Sequence, residues 1–122
     1  MYNDIESQLE NIEEMFRNMS ENGWNVEGDL LFGYFFFHRT EQDLKNLLHH
    51  LSAKSYELAE LFEIEDGSTG KGTGRFVLHV ERVETHSPES LAKRNVEFTE
   101  LAVSWHIDLY DGFDVGPVGT NH

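Results

Sequence analysis

The sequence predicts an α+β domain with the ferredoxin-like order βαββαβ, a four-stranded antiparallel sheet, preceded by an additional N-terminal helix. Two observations predict it. After residue 29, segments with strand composition and amphipathic segments follow one another in that order. The length of 122 residues suits one domain and is too short for two. We expect residues 1–22 to form a helix packed on the domain formed by residues 23–122.

The N-terminal helix is predicted from Asp4 to about Asn22. Apolar residues recur there at steps of three and four, which is the period of an amphipathic helix. They are Ile5, Leu9, Ile12, Phe16 and Met19. The helix should end at Asn22-Gly23.

The first strand, Leu30–His38 (LLFGYFFFH), is apolar on both of its alternating faces. A strand with one solvated face alternates apolar and polar residues, so this one is expected in the centre of the sheet with both faces covered. Crossover connections place the two later helices on one face. We expect the N-terminal helix to cover the other face, with a second subunit or a partner protein as alternatives.

The later elements follow from helix caps and turn residues. Thr40 is the expected N-cap of the second helix, and Ser87 followed by Pro88 marks the start of the third. Strands are expected over Tyr56–Glu65 and from Arg75 to about Thr85, joined as a hairpin by a glycine-rich turn. Ile107–Tyr110 is predicted as a short last strand, and the glycine-rich DGFDVGPVG tail as irregular.

The net charge of −14 argues against nucleic acids and anionic membranes as partners. It favours a basic partner through long-range attraction. The absence of cysteine excludes disulfides and thiolate chemistry. The acidic N-terminus and the lack of a long apolar run predict a soluble, cytoplasmic protein without a signal peptide.

The stretch LHVERVETHSPESLAKRN raises the question of a metal or acid–base site. On a strand, His79 and Glu81 share one face, whereas Glu84 and His86 share the other, so the four side chains cannot converge on one ion. No recognised metal-binding spacing is present. We predict no metal, cofactor or catalytic residue, and keep a metal-dependent enzyme that uses His79 and Glu81 as an alternative.

The stretch GYFFF is similar to the aromatic strands with which RNA-recognition motifs stack bases. An RNA-binding domain of that kind, with Tyr34, Phe35 or Phe36 as stacking platforms, is a second alternative. The basic residue that begins the RNA-binding motif is absent, and the acidic charge opposes phosphate binding. Core packing is the preferred explanation of these aromatic residues.

Three stretches, ENGWNVEGDLLFGYFF, LHVERVETHSPESLAKRN and YDGFDVGPV, together resemble the bacterial regulator of ribonuclease activity B family. The resemblance implies a ferredoxin-like fold and a non-enzymatic inhibitor of ribonuclease E that modulates RNA turnover. It also implies a partner, the non-catalytic C-terminal region of ribonuclease E, which includes arginine-rich segments. It supplies no catalytic residues.

The sequence therefore predicts an acidic protein-binding regulator whose partner is a basic protein segment, with the C-terminal region of ribonuclease E as the expected source. Four acidic residues near the matching motifs are the predicted partner contacts: Glu81, Glu84, Asp111 and Asp114. A homodimer joined through an open sheet face is a further alternative, compatible with this function.

Overall fold

The structure, a computed structural model, describes residues 5–118 of the chain. These residues form three helices and four strands: α1 (Ile5–Glu21), β1 (Leu30–His38), α2 (Glu41–Ser52), β2 (Glu57–Glu65), β3 (Gly72–Glu84), α3 (Pro88–Ser104) and β4 (Leu109–Gly116). The predicted helix start at Asp4 lies outside the described residues.

The four strands form one sheet in the order β2-β3-β1-β4, and each neighbouring pair is antiparallel. This order confirms the predicted ferredoxin-like architecture. As expected from its composition, β1 is central. It pairs with β3 without interruption from Leu30 opposite Glu84 to His38 opposite Phe76.

The core lies between the sheet and the helices. The even-numbered apolar residues of β1 are almost fully buried and contact residues from all three helices. The main members are Phe32, Tyr34 and Phe36 of β1, Leu78 and Val80 of β3, Leu44, Leu47 and Leu51 of α2, Leu91 and Phe98 of α3, and Ile12 and Phe16 of α1. Each fully buried side chain of this size contributes roughly 1.5–3 kcal/mol.

The expectation that α1 covers the second face of the sheet is wrong. α1 packs against α3, and Ile12 and Phe16 join the core on the helix side. Ile12 also lies beside Tyr110 and Phe113 of β4, at a cavity of about 740 Å³. The apolar stripe of α1 thus extends the helix layer next to α3. We call the other face of the sheet, away from the helices, the open face. Its side chains do not belong to the core cluster that the sheet forms with the three described helices.

The last strand is present as predicted, but its predicted bounds and the irregular tail after Tyr110 are wrong. β4 runs from Leu109 to Gly116, so most of the tail expected to be irregular pairs with β1. The pairing shifts register between Phe35 and Phe36, which face Gly112 and Tyr110 respectively. Gly112 has a φ of 105°, which few residues other than glycine adopt. This bulge interrupts the two-residue alternation, and for that reason the sequence pattern hides the strand.

Candidate functional site

The open face is organised in rows that cross the strands, because cross-strand partners share a face. One row contains three acidic residues and a glycine: Glu57 of β2, Glu81 of β3, Gly33 of β1 and Asp114 of β4. The next row contains Glu60, His79, Phe35 and Gly112. The third contains Phe62, Val77, Phe37 and Leu109. We call the first the acidic row and the third the apolar row.

The apolar row ends in exposed side chains. Phe62 at one end is 43% exposed and Leu109 at the other is 47% exposed. Between them Val77 is buried and Phe37 is half-buried. At the opposite margin of the face, Val83 is 48% exposed. Exposed apolar groups gathered on one face are typical of an interaction surface.

The acidic row brings like charges together. Glu57 and Glu81 are direct cross-strand partners, an arrangement that destabilises a sheet. The described ion pairs of Lys and Arg lie elsewhere and join Arg39 to Asp108, Lys45 to Glu41, Arg82 to Glu84, and Arg94 to Glu84 and Glu97. The acidic row therefore has no Lys or Arg counter-charge within the described part of the chain.

His79 lies at the centre of the open face. Its ring stacks on Phe35, with ring centroids 4.1 Å apart and an interplanar angle of 16°. Its Nε2 atom is buried and makes no hydrogen bond to any described residue. The nearest carboxylate oxygen, Oδ1 of Asp114, is 3.9 Å away, too far for a hydrogen bond. Both side chains lean over Gly33, and a Cβ atom at that position would collide with each.

Glu84 lies on the other side of the sheet, in a buried polar cluster. Its Oε2 atom accepts a hydrogen bond from the Tyr34 hydroxyl at 2.7 Å. Its Oε1 atom accepts hydrogen bonds from Arg94 at 2.6 Å and Arg82 at 2.8 Å. The Glu84 side chain is only 7% exposed. Glu84 is therefore committed to internal contacts.

Burial and hydrogen bonding compete in setting the pKa values of this cluster. Burial by itself raises the pKa of Glu84, but the hydrogen bonds from His86, Arg82, Tyr34 and Arg94 outweigh it and hold the pKa well below its usual range. Burial lowers the pKa of Arg94, and the bond to Glu84 more than reverses this. Burial, followed by the hydrogen bond to Glu84, raises the pKa of Tyr34. The cluster is thus charged at neutral pH, with the Glu84 carboxylate paired to the guanidinium groups of Arg82 and Arg94.

The four predicted partner contacts separate into three places. Glu81 and Asp114 flank Gly33 in the acidic row of the open face. Asp111 is exposed at the β4 bulge and borders the cavity between α1, α3 and β4. Glu84 belongs to the buried cluster, so we do not retain it as a partner contact. Two further acidic residues of the open face, Glu57 and Glu60, are not among the contacts predicted from the sequence.

The structure bears on the two alternative chemistries. Tyr34 and Phe36 are fully buried in the core, as the preferred core-packing explanation expects, so the RNA-binding alternative cannot use them as stacking platforms. Phe35 does reach the open face, but one side of its ring is occupied by His79. His79 and Glu81 share that face as predicted. Among the described residues, no group of three or more His, Asp or Glu side chains is placed to hold a metal ion.

Comparisons of the chain with known proteins identify its family. None of the curated proteins matches the chain. No helix in the described part of the chain has the length and apolar character needed to cross a membrane. A family model described as regulator of ribonuclease activity B matches residues 9–115, from α1 to the end of β4. The fold predicted from the resemblance is present, and the match covers most of the chain, which therefore belongs to the regulator of ribonuclease activity B family.

Proposed function

We propose that this protein is a non-enzymatic regulator that binds a basic segment of ribonuclease E, in its non-catalytic C-terminal region. The family match over residues 9–115 carries the proposal, because that family is named for regulation of ribonuclease activity. Binding at a non-catalytic region would alter RNA turnover without contact between this protein and RNA.

The charge of the protein supports a basic partner. A net charge of −14 attracts arginine-rich segments and repels RNA phosphates. Of the predicted contacts, Asp111 and Asp114 are exposed and Glu81 is half-buried, so all three remain accessible. Carboxylates bind guanidinium groups through paired, charge-assisted hydrogen bonds. Such contacts favour fast, salt-sensitive association.

Calorimetric titration tests this proposal directly. The purified protein is titrated with the arginine-rich C-terminal segment of ribonuclease E from the same organism, at low and at physiological salt. We expect binding at both, weaker at the higher salt because screening reduces the attraction. Single-stranded RNA is the control ligand and should give no heat of binding. Absence of binding to the segment at both salt concentrations would refute the proposal.

An activity assay extends the same test. Cleavage of an RNA substrate by full-length ribonuclease E should slow when this protein is added. A truncated ribonuclease E without its C-terminal region is the matched control, and its cleavage rate should not change. Equal inhibition of both forms would contradict a site in the non-catalytic region.

A further inference from the structure

We propose that the open face is the surface that binds the partner, and that it receives arginine side chains from an extended segment. The proposal rests on the proposed function for the identity of the partner. The chemistry of the face is an independent argument for the class of ligand. The observations that carry it are the acidic row, the neighbouring aromatic side chains and the Nε2 atom of His79, which has no hydrogen-bond partner among the described residues.

The open face offers both kinds of contact that a guanidinium group uses. The Glu57, Glu81 and Asp114 carboxylates of the acidic row accept hydrogen bonds in the paired geometry that suits arginine. Phe62 in the apolar row is 43% exposed, so its ring can stack on a planar cation, whereas Phe35 in the adjacent row is half-buried against His79. Lysine can form the ion pairs but is a poorer match for the rings, so the face should prefer arginine to lysine.

The dimensions of the acidic row suit an extended chain. Neighbouring strands are about 4.8 Å apart, so the row spans roughly 14 Å from Glu57 on β2 to Asp114 on β4. Alternate residues of an extended segment are separated by roughly 6.6 Å. A segment that crosses the strands can therefore place two or three alternate arginine side chains along the row.

Electrostatic strain on the face selects a cationic occupant over a second copy of this chain. The direct Glu57–Glu81 pair places like charges on neighbouring strands, and no Lys or Arg of the described chain forms an ion pair with either residue. A bound guanidinium group would neutralise the pair. Two copies joined through this face would instead bring two acidic rows together, which costs free energy.

His79 adds to the same place a ring nitrogen that has no hydrogen-bond partner among the described residues. With its proton on Nδ1, the imidazole presents a lone pair on Nε2, the atom that has no hydrogen-bond partner among the described residues. Because Nε2 is buried in the free protein, an arginine N–H can donate to it only after the exposed Asp114 side chain moves aside. Binding would thereby satisfy a buried polar atom that makes no hydrogen bond to any described residue.

The test compares two double variants that change the net charge equally. Glu57→Gln/Glu81→Gln removes the repulsive pair of the acidic row. Glu13→Gln/Glu14→Gln, on the exposed side of α1, is the matched control. The probe is a short synthetic peptide of alternating arginine and serine, with a lysine–serine peptide of equal length for comparison. Affinity is measured at low salt, and amide chemical shifts of the labelled wild-type protein map the peptide.

We expect the wild type to bind the arginine peptide several-fold more tightly than the lysine peptide. Glu57→Gln/Glu81→Gln should weaken binding of the arginine peptide about tenfold, and Glu13→Gln/Glu14→Gln less than about twofold. The shifted amides should lie in the four strands along the acidic row, from Glu57 of β2 to Asp114 of β4. Circular dichroism verifies that both double variants fold. If Glu57→Gln/Glu81→Gln does not fold, Phe62→Ser takes its place in the test. Phe62 is exposed, and its substitution should also weaken binding of the arginine peptide.

The outcomes separate this inference from the proposed function. Equal weakening by the two double variants, shifts confined to the helices, or no binding of the arginine peptide would overturn the open-face assignment. None of these results alters the binding of the ribonuclease E segment by the wild type, which alone decides the proposed function. A monomer–dimer shift in the row variant without loss of peptide affinity would assign the face to a second copy.

Discussion

Glu84 gives the clearest prediction for a single residue, because Tyr34, Arg82 and Arg94 all donate hydrogen bonds to its carboxylate. Glu84→Gln keeps the size of the side chain but removes the charge that compensates the largely buried Arg94. We expect the free energy of unfolding at pH 7 to fall by about 3 kcal/mol. Urea denaturation of the variant and the wild type measures this difference.

Glu97→Gln is the matched control for this substitution. Glu97 is 53% exposed and pairs with the same arginine at 3.3 Å, so its removal should cost less than about 1 kcal/mol. Equal costs for Glu84→Gln and Glu97→Gln would show that the buried cluster has no special role in stability.

The effect of Glu84 on stability should depend on pH in a defined direction. The pKa of Glu84 is lower in the folded protein than its unfolded value of about 4.3. Its stabilising contribution is therefore present above about pH 4.3 and is lost as the pH falls toward the folded-state pKa. The stability difference between wild type and Glu84→Gln should shrink below about pH 4. A difference that stays constant down to pH 2 would contradict this linkage.

Gly33 provides a second prediction at this scale. A Cβ atom at position 33 would collide with His79 and Asp114, so Gly33→Ala must displace one or both from the centre of the open face. We expect a loss of about 1–3 kcal/mol in unfolding free energy. Gly116→Ala in β4 is the control, because a Cβ atom there meets open space. Thermal unfolding measures the stability of both variants. Equal stability of Gly33→Ala and Gly116→Ala would refute the steric argument.

The sequence predicts the side of a strand on which a residue lies, but not its contacts across the fold. Two-residue alternation correctly separates His79 and Glu81 from Glu84 and His86. It does not reveal that Glu84 meets Arg94, because that contact depends on how α3 packs over the sheet. The same limit hides the acidic row, since the cross-strand pairing of Glu57 with Glu81 is set by the register of the hairpin.

Among the elements, β1 and β4 show when a strand can be predicted from sequence. β1 is a continuous apolar run, and its predicted bounds are those of the structure. β4 is interrupted by a bulge at Gly112 and ends in glycine, which lowers strand propensity. β4 is stabilised by its pairing with β1, on the side of β1 opposite β3. Such a tertiary contribution cannot be read from a local sequence pattern. The place of α1 beside α3 is likewise decided by packing.

The N-termini of α2 and α3 allow a prediction about caps. The Ser87 Oγ atom accepts a hydrogen bond from the Ser90 backbone N–H, and the Ser90 Oγ atom accepts one from the Ser87 backbone N–H, so the cap of α3 is reciprocal. Thr40 occupies the equivalent position of α2, but its side chain accepts no capping hydrogen bond from the backbone. We expect Ser87→Ala to cost about 1 kcal/mol in unfolding free energy and Thr40→Ala clearly less. Chemical denaturation of both variants measures the two losses of unfolding free energy. A larger loss for Thr40→Ala than for Ser87→Ala would contradict the prediction.

At the scale of the whole molecule, the oligomeric state follows from the distribution of charge. A homodimer through the open face would place the acidic rows of both copies in one interface, which like-charge repulsion opposes. We expect light scattering at low salt to give the mass of a monomer, 14.1 kDa. A dimer at low salt would mean that the exposed Phe62, Val83 and Leu109 contribute more free energy than the carboxylates cost.

The excess of 23 acidic over 9 basic residues should also make folding sensitive to salt. Self-repulsion destabilises the compact state, and the Debye length falls from about 30 Å at 0.01 M salt to about 4 Å near 0.5 M. We expect sodium chloride to raise the Tm at pH 7 by several degrees across this range. Near the isoelectric point of 4.7 the net charge vanishes, so the same salt series should change the Tm little. An equal rise at both pH values would instead indicate a general effect of salt on apolar burial.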